Sequence, residues 1–284
     1  MTRKINIVLF ALTGFGNSVL HTLLEDSRVN LQAVFTVKYD QPFPYYAERQ
    51  ILDVCSEKGI DCHHSIKVSS DDGFALLREY SPDLIVVATF KQILRDNVLD
   101  LPELGVVNFH PSLLPKYRGP SPTHSALLNG DENTGVTVHF ITEQIDEGNI
   151  LLQRSIPIYD VENDGVLRKK LADLSGELVP ELIDLWDGNA LPAGKSQDHT
   201  LASFAPKPKI EDGYLELGED IGTIRNKVRA FNPLPGTSFL IGDKRIKIDR
   251  FEIIQDDRPD GKYDQKDHID VIINSRGIRL YKSY

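Results

Sequence analysis

Only two cysteines, Cys55 and Cys62, occur in 284 residues. That is too few for a disulfide framework, so a reducing, cytoplasmic setting is expected. No apolar run approaches the ~18 residues needed to cross a bilayer, and no membrane partner is expected. The opening stretch MTRKINIVLFALTGFGN lacks the small-residue cleavage site of a signal peptide and reads as a first strand. A basic excess is missing too: 32 Lys and Arg face 42 Asp and Glu, for a net charge of -10. Binding phosphates needs clustered cations, which argues against nucleic acid as the main partner. Residues 205–284 carry roughly as many basic as acidic side chains, so the acidic excess sits upstream. GFGNSV lacks the third glycine of a dinucleotide fingerprint, having Val19 in its place, and reads as a tight strand-to-helix turn. The stretch Cys62, His63, His64 has no second ligand cluster and alternates faces if extended, so no metal is expected there.

What is present is an ordinary globular composition, 40% hydrophobic and 26% charged, in a chain long enough for one large and one small domain. Short β-branched runs at 5–11, 31–37, 83–89 and 105–110 alternate with helical patterns at 17–24, 46–58 and 72–80. That alternation is the mark of βαβ units and a parallel sheet. Ser69, Ser70 and Asp71 are plausible caps for the third helix. GVTVHFIT and GNILLQRSIPI then form a hairpin with EQIDEGN at its tip, and 164–186 reads as an amphipathic helix with a leucine stripe that serves the core. Residues 187–209 are rich in Gly, Pro, Ser and Ala without periodicity. The expected division is a domain over 1–188, a linker over 189–209, and a small β-rich, barrel-like domain over 210–284. In that last domain IGTIRNKVRAF is a helix, and TSFLIG, KRIKIDRFEII, HIDVIIN and GIRLYKS are strands.

The chemistry is carried by GVVNFHPSLLPKYRGPSP, 105–122. In a strand, residues two apart share a face, so Asn108 and His110 project together. Pro111 then forbids continuation and keeps His110 extended at the carboxyl edge, where open α/β sheets bind ligands. An imidazole exchanges protons near neutral pH, and an amide donates to a negative oxygen developing on a carbonyl; together they suit acyl transfer. The hairpin tip supplies Asp146 as a carboxylate for the imidazole. Such a neighbour is expected to raise the pKa of His110.

NFHPSLLPKYRGPSPTHSALLNGDENTGVTVHFITEQIDEGNILLQ resembles the signature of 10-formyltetrahydrofolate-dependent formyltransferases, in which Asn-x-His-x-Ser-Leu-Leu-Pro is followed by Thr-Gly-Val-Thr and an Asp-x-Gly turn. IRNKVRAFNPLPGTSFLIGDKRIKI is similar to the carboxyl-terminal domain shared by methionyl-tRNA and amino-sugar formyltransferases. The resemblance implies a Rossmann-like α/β formyltransferase domain with a mostly parallel sheet, followed by the small β-rich domain. It implies that Asn108 stabilises the oxyanion, His110 relays the proton and Asp146 tunes the histidine. The co-substrate would be 10-formyltetrahydrofolate. Its contacts would come from Phe90, Lys91, Gln92, Ile93 and Leu94, from Ser112, Leu113, Leu114 and Pro115, and from Thr142, Glu143, Gln144 and Ile145. No metal is required. The reaction would be attack by a neutral primary amine on the formyl carbon through a tetrahedral intermediate.

The tRNA-specific relatives carry a basic insertion after the second strand, whereas VKYDQPFPYYAERQ is short and aromatic here. A small acceptor is therefore expected, a nucleotide-linked amino sugar fitting best, with Tyr39, Phe43, Tyr45 and Tyr46 either stacking on it or buried for stability. His-Pro-Ser, where tRNA-type enzymes usually have His-Gly-Ser, points the same way, while RAFNPLPG also suits the tRNA type. Methionyl-tRNA formylation is the alternative. A non-catalytic folate-binding relative is a third reading, whose expected mark would be loss of Asn108, His110 or Asp146. His139 is read as a sheet-face histidine, Arg118 as either a site residue or a turn cap, and a homodimer is left open.

Overall fold

INIVLFA has almost no polar position, and a strand apolar on both faces must lie inside a sheet covered by helices. The computed structural model, which describes residues 3–39, 49–216, 218–241 and 243–283, puts it there. The chain runs β1 (Ile5–Ala11), α1 (Phe15–Glu25), β2 (Val29–Thr36), α2 (Ile51–Lys58), β3 (Asp61–His64), α3 (Asp71–Glu79) and β4 (Leu84–Ala88). It continues with α4 (Asp96–Leu99), β5 (Val106–His110), α5 (Pro122–Leu128), β6 (Asn133–Phe140), β7 (Ile150–Pro157) and α6 (Asp164–Asp184). The strands form one sheet in the order β3-β2-β1-β4-β5-β6-β7. β1 to β5 pair in parallel and β6 pairs antiparallel with β5. The chain winds outward from β1 to β3, then crosses to β4 and β5. The winding direction thus reverses between β1 and β4, and sheets of this kind hold ligands at the carboxyl edge beside such a reversal.

Local chemistry fixes the ends of these elements. Gly59 takes a left-handed conformation (φ 65) to terminate α2. Ser70, one of the expected caps, accepts from the Gly73 amide at 3.3 Å to open α3. Phe10 anchors the core on one sheet face, edge-on to Phe35 at 5.2 Å between centroids and stacked with Phe90 at 5.0 Å. On α6 the expected leucine stripe is buried at Leu167, Leu171, Leu174, Leu178 and Leu182.

The remaining elements are β8 (Tyr214–Leu215), α7 (Ile221–Phe231), β9 (Thr237–Ile241), β10 (Lys244–Gln255), β11 (Gly261–Asp264), β12 (His268–Ile273) and β13 (Arg276–Lys282). They make a second, mostly antiparallel sheet in the order β11-β12-β13-β10-β9-β8. β10 pairs with β9 through Ile248 and with β13 from Ile248 onward, with a register shift where the partners change. That bulge lets one long strand turn a corner and coil the sheet. Asp220 caps α7, accepting from Thr223 N at 3.0 Å, and Ile224 and Val228 on that helix pack with Phe239, Ile248, Val271 and Leu280.

Contact density groups the chain otherwise than a contiguous cut around 189–209 would. One compact unit comprises Met1–Gly119, Gly135–Ile156 and Arg168–Phe204; the other comprises Pro120–Thr134, Pro157–Leu167 and Ala205–Tyr284. The physical reason is local: α5 packs on α7, with Asn226 donating to the Leu128 carbonyl at 3.2 Å, and Arg229 donates to the carbonyls of Glu162 and Tyr159. Three strands were not among those expected. β3, β8 and β11 are two to four residues long with few buried positions, so they carry little periodic signal. The helix expected over 46–58 begins at Ile51, its first residues lying outside those described. Among the described residues no helix is long and apolar enough to cross a membrane.

Phe10→Ala removes a fully buried ring between two aromatic neighbours, and a loss of about 3–5 kcal/mol is expected. Ile93→Ala, at an 84% exposed position, should cost within about 0.5 kcal/mol. Urea unfolding of the two variants checks the contrast.

Candidate active site

β5 stops where Pro111 follows it, and the next residues turn back at once, with Ser112 N donating to the His110 carbonyl at 2.9 Å. In the antiparallel ladder with β6, Asn108 lies opposite His139 and His110 opposite Thr137. Opposed residues share a face, so Asn108, His110 and His139 all project from one side. Beyond β6 the tip of the β6–β7 connection returns over that side and delivers Asp146, itself in the left-handed region at φ 54.

Donor and acceptor logic then fixes the ring hydrogens. His110 Nε2 lies 2.9 Å from the Tyr117 carbonyl, which can only accept, so Nε2 carries a hydrogen. His139 Nδ1 is likewise tied to the Phe140 carbonyl at 2.8 Å. In the neutral rings this leaves lone pairs on His110 Nδ1 and His139 Nε2. Each lies 3.6 Å from a different oxygen of Asp146, Oδ2 and Oδ1 respectively. The Asn108 amide donates one Nδ2 hydrogen to His139 Nε2 at 3.2 Å, leaving the second to aim elsewhere. Gly119 N donates to Asp146 Oδ2 at 2.8 Å.

The expected upward shift of His110 does not occur. Burial of the ring, 3% exposed, lowers its pKa and outweighs the upward pull of Asp146, while His139 adds a further downward push. The Asp146 effect has the expected sign, but desolvation is the larger force. Burial alone would raise the carboxyl of Asp146; the His110 and His139 imidazoles and the Gly119 amide reverse that and hold it at about 2. At neutral pH the group is therefore an uncharged imidazole facing an ionised carboxylate, a proton acceptor whose protonated form has its counter-ion in place.

Arg118 is a frame residue rather than an open ligand group. Buried at 7% exposed, it donates to Glu147 at 2.7 Å and to Gln197 at 2.8 Å, and Gln197 in turn donates to the carbonyls of Asp146 and Gly148, both at 2.8 Å. The stretch around Lys195 and Phe204, read from sequence as linker, is bridged to Ile150 and Arg118. His139, Tyr117 and Gln197 are the site residues that sequence reasoning missed. Only the register of β6 against β5 would have revealed the first, and no sequence signal marks a backbone carbonyl or a distant amide.

The expected folate contacts fall into two groups. Lys91, Ile93, Thr142, Glu143, Gln144 and Ile145 are exposed, and Phe90, Leu113 and Pro115 are half-buried. Leu94, Ser112 and Leu114 are buried: Leu94 joins the core, and Ser112 donates to the Lys116 carbonyl at 2.7 Å. Gln92 spends its amide on the backbone, accepting from Val68 N at 3.0 Å and donating to the Ile66 carbonyl at 2.6 Å. Lys91 lies over the Tyr39 ring at 4.8 Å, while Phe43, Tyr45 and Tyr46 lie outside the described residues.

Comparison with known proteins matches two family models to the chain. The family described as formyl transferase matches residues 6–183, and its C-terminal domain matches 208–280. The chain is 43% identical over 173 residues to the methionyl-tRNA formyltransferase of Syntrophus aciditrophicus, covering 61% of this chain and 55% of that relative. With the methionyl-tRNA formyltransferase of Thermotoga neapolitana it shares 37% over 195 residues, 69% of this chain and 62% of the relative. Each match thus spans less than two thirds of the relative's own length. Among solved structures, an N-formyltransferase from Helicobacter canadensis, in complex with folinic acid and dTDP-3-aminofucose, superposes with TM-score 0.74 at 19% identity, covering 99% of this chain and 100% of that one. At that identity the likeness is one of fold. Glycinamide ribonucleotide transformylase 1 from Symbiobacterium toebii gives TM-score 0.55 at 26% identity over 68% of this chain and 95% of that one.

Gly148 closes the tip that carries Asp146, and a Cβ built there would lie 1.8 Å from the Phe140 carbonyl oxygen. Gly148→Ala must displace the tip. The expected outcome is a loss of about 1–3 kcal/mol, with the imidazole nitrogen resonances of His110 and His139 moved in an NMR spectrum. Unmoved resonances would show that the tip does not set the site.

Proposed function

Since the chain belongs to the formyl transferase family, we propose that it moves a formyl group from 10-formyltetrahydrofolate to the primary amine of a small acceptor, a nucleotide-linked amino sugar fitting best. The observation that carries this reading is the convergence of Asn108, His110 and Asp146 at the carboxyl end of β5. Thr89 supports a heterocyclic ligand beside Phe90: a β-branched residue held at φ 59, its buried Oγ1 has no hydrogen-bond partner among the described residues. The exposed apolar side chains of Ile93 and Ile145 supply surface for a flat ring system. The folate, when bound, supplies a formyl carbonyl.

The chain's own groups then divide the work. The free Nδ2 hydrogen of Asn108 donates to the carbonyl oxygen as negative charge builds there. His110 takes the proton of the attacking amine at Nδ1, since Nε2 already carries one toward Tyr117, and that proton passes to the departing folate nitrogen as its bond to the formyl carbon breaks, releasing tetrahydrofolate. Asp146 stabilises the imidazolium so formed, and Gly119 keeps the carboxylate aimed. His139 holds the Asn108 amide with its donor side toward the site.

For the acceptor, net charge -10 and the absence of a basic insertion after β2 favour a small molecule. Formylation of methionyl-tRNA is the second reading, favoured by the 43% and 37% identity to methionyl-tRNA formyltransferases. A small acceptor implies use inside the cell, where folates and sugar nucleotides are held.

Labelled formyl transfer to a panel of amino-sugar nucleotides, against charged initiator tRNA, separates the readings. A small acceptor should show weak salt dependence; steep loss of binding with added salt would instead establish the tRNA reading. His110→Asn should lower kcat by about 10²–10⁴-fold with folate affinity little changed. Folate binding without turnover on any acceptor would make the chain a non-catalytic relative.

A further inference from the structure

Lone pairs of His110 Nδ1, His139 Nε2 and the Asp146 carboxylate converge at this site, His139 Nε2 accepting from Asn108 at 3.2 Å and Asp146 Oδ2 from Gly119 N at 2.8 Å. We propose that His110 Nδ1, His139 Nε2 and an Asp146 carboxylate oxygen form a chelating site for a divalent transition-metal cation of the Zn2+ class, and that the bound ion blocks transfer. The blocking half rests on the function proposed above; the binding half does not.

The ligand atoms lie within 4.8 Å of one another, and each imidazole nitrogen is 3.6 Å from an Asp146 oxygen. Tetrahedral bonds of about 2.0–2.2 Å set ligand atoms about 3.3–3.6 Å apart. The two nitrogen-to-oxygen distances match that spacing, each to a different Asp146 oxygen, and chelation by one ion requires the remaining separations, which lie within 4.8 Å, to close toward about 3.6 Å. Orientation is the independent observation. Metal-binding histidines donate their other ring hydrogen to a carbonyl or carboxylate, which fixes the tautomer. Both rings do so here, His110 to Tyr117 at 2.9 Å and His139 to Phe140 at 2.8 Å. Gly119 N plays the same part for the carboxylate, at 2.8 Å from Oδ2. Two imidazoles with one carboxylate select zinc, cobalt, nickel or copper over magnesium and calcium, which prefer all-oxygen sets.

Occupancy would disable every group at once. A metal on His110 Nδ1 removes the base. One on His139 Nε2 displaces the Asn108 hydrogen from its acceptor, and the amide loses its aim. The ion also neutralises the Asp146 carboxylate that would stabilise the imidazolium.

The test uses the full chain with no folate or acceptor present. Titration with Co2+ should give one equivalent with the visible absorption of a four- or five-coordinate ion, displaced by Zn2+. Asp146→Asn and His139→Asn should each weaken Co2+ binding by about tenfold or more. His63→Gln and His64→Gln, at the separate Cys62–His64 run, should leave it unchanged. An absorption that follows His63 or His64, or that ignores Asp146 and His139, overturns the site. If the variants do not fold, X-ray absorption of the Zn2+-loaded unaltered chain still decides: two imidazoles without sulfur support the proposal, whereas a sulfur ligand or a single imidazole overturns it. Zn2+ should also abolish labelled formyl transfer reversibly with a chelator, and transfer that persists at saturating Zn2+ overturns the blocking half. Because binding is read without turnover, failure to find any formyl acceptor would count against the proposed function and leave the metal result standing.

Discussion

An ionised carboxylate held against two imidazoles at the end of a sheet is the constraint on which the rest of the site depends. Asp146 is only 16% exposed as a side chain, and burial by itself would favour its neutral form. Its carboxyl is held low because the Gly119 amide donates to Oδ2 and because a proton taken up by the facing imidazoles places positive charge against its oxygens. The surrounding chain keeps those partners in place. β5 must end at Pro111, β6 must pair with β5 in the register that sets His139 opposite Asn108, and the tip must turn back through a left-handed residue. A shift of one residue in that register would carry His139 to the other face of the sheet.

The frame around the tip is polar where a core would be apolar. Arg118, Glu147, Gln197 and the carbonyls of Asp146 and Gly148 form a continuous hydrogen-bonded set, with Arg118 and Gln197 nearly buried. Buried polar groups cost stability unless every member is satisfied, and in exchange they define one geometry. A hydrophobic plug could hold the tip as tightly, but it would not specify where the Asp146 carboxylate points, as directional hydrogen bonds do. The stretch around Gln197 has no periodic pattern, yet it contributes the amide that ties the tip down.

Legibility in the sequence followed the strength of the local signal. β1 at Ile5–Ala11 and α7 at Ile221–Phe231 appear with the expected bounds, because the first is apolar on both faces and the second has a clean cap at Asp220 and a helical apolar period. β3 was not foreseen, since Asp61, Cys62, His63 and His64 offer no buried position and the strand exists through its pairing with β2. At the site, the spacing of Asn108 and His110 was readable because parity within one strand needs no tertiary knowledge. His139 was not, because its nearness to Asn108 depends on pairing between strands. The sign of the His110 shift failed for a related reason: the charge of a neighbour can be read from a motif, whereas the depth of burial cannot, and here burial is the larger effect.

A base and a metal ligand are the same lone pair seen by two electrophiles, which sets a tension in any site of this kind. Lowering the pKa of His110 by burial keeps Nδ1 unprotonated and ready, but an unprotonated imidazole is also the form that binds metal. Tying Nε2 to the Tyr117 carbonyl fixes the ring for proton transfer and equally fixes it for coordination. The device that moderates the conflict is Asn108. While its amide donates to His139 Nε2, that nitrogen is occupied, and an entering ion must first break a buried hydrogen bond. In the proposed mechanism the amide that donates to the carbonyl is also the one that guards the third ligand of the proposed metal site, and the two duties are inseparable because one Nδ2 group supplies both hydrogens.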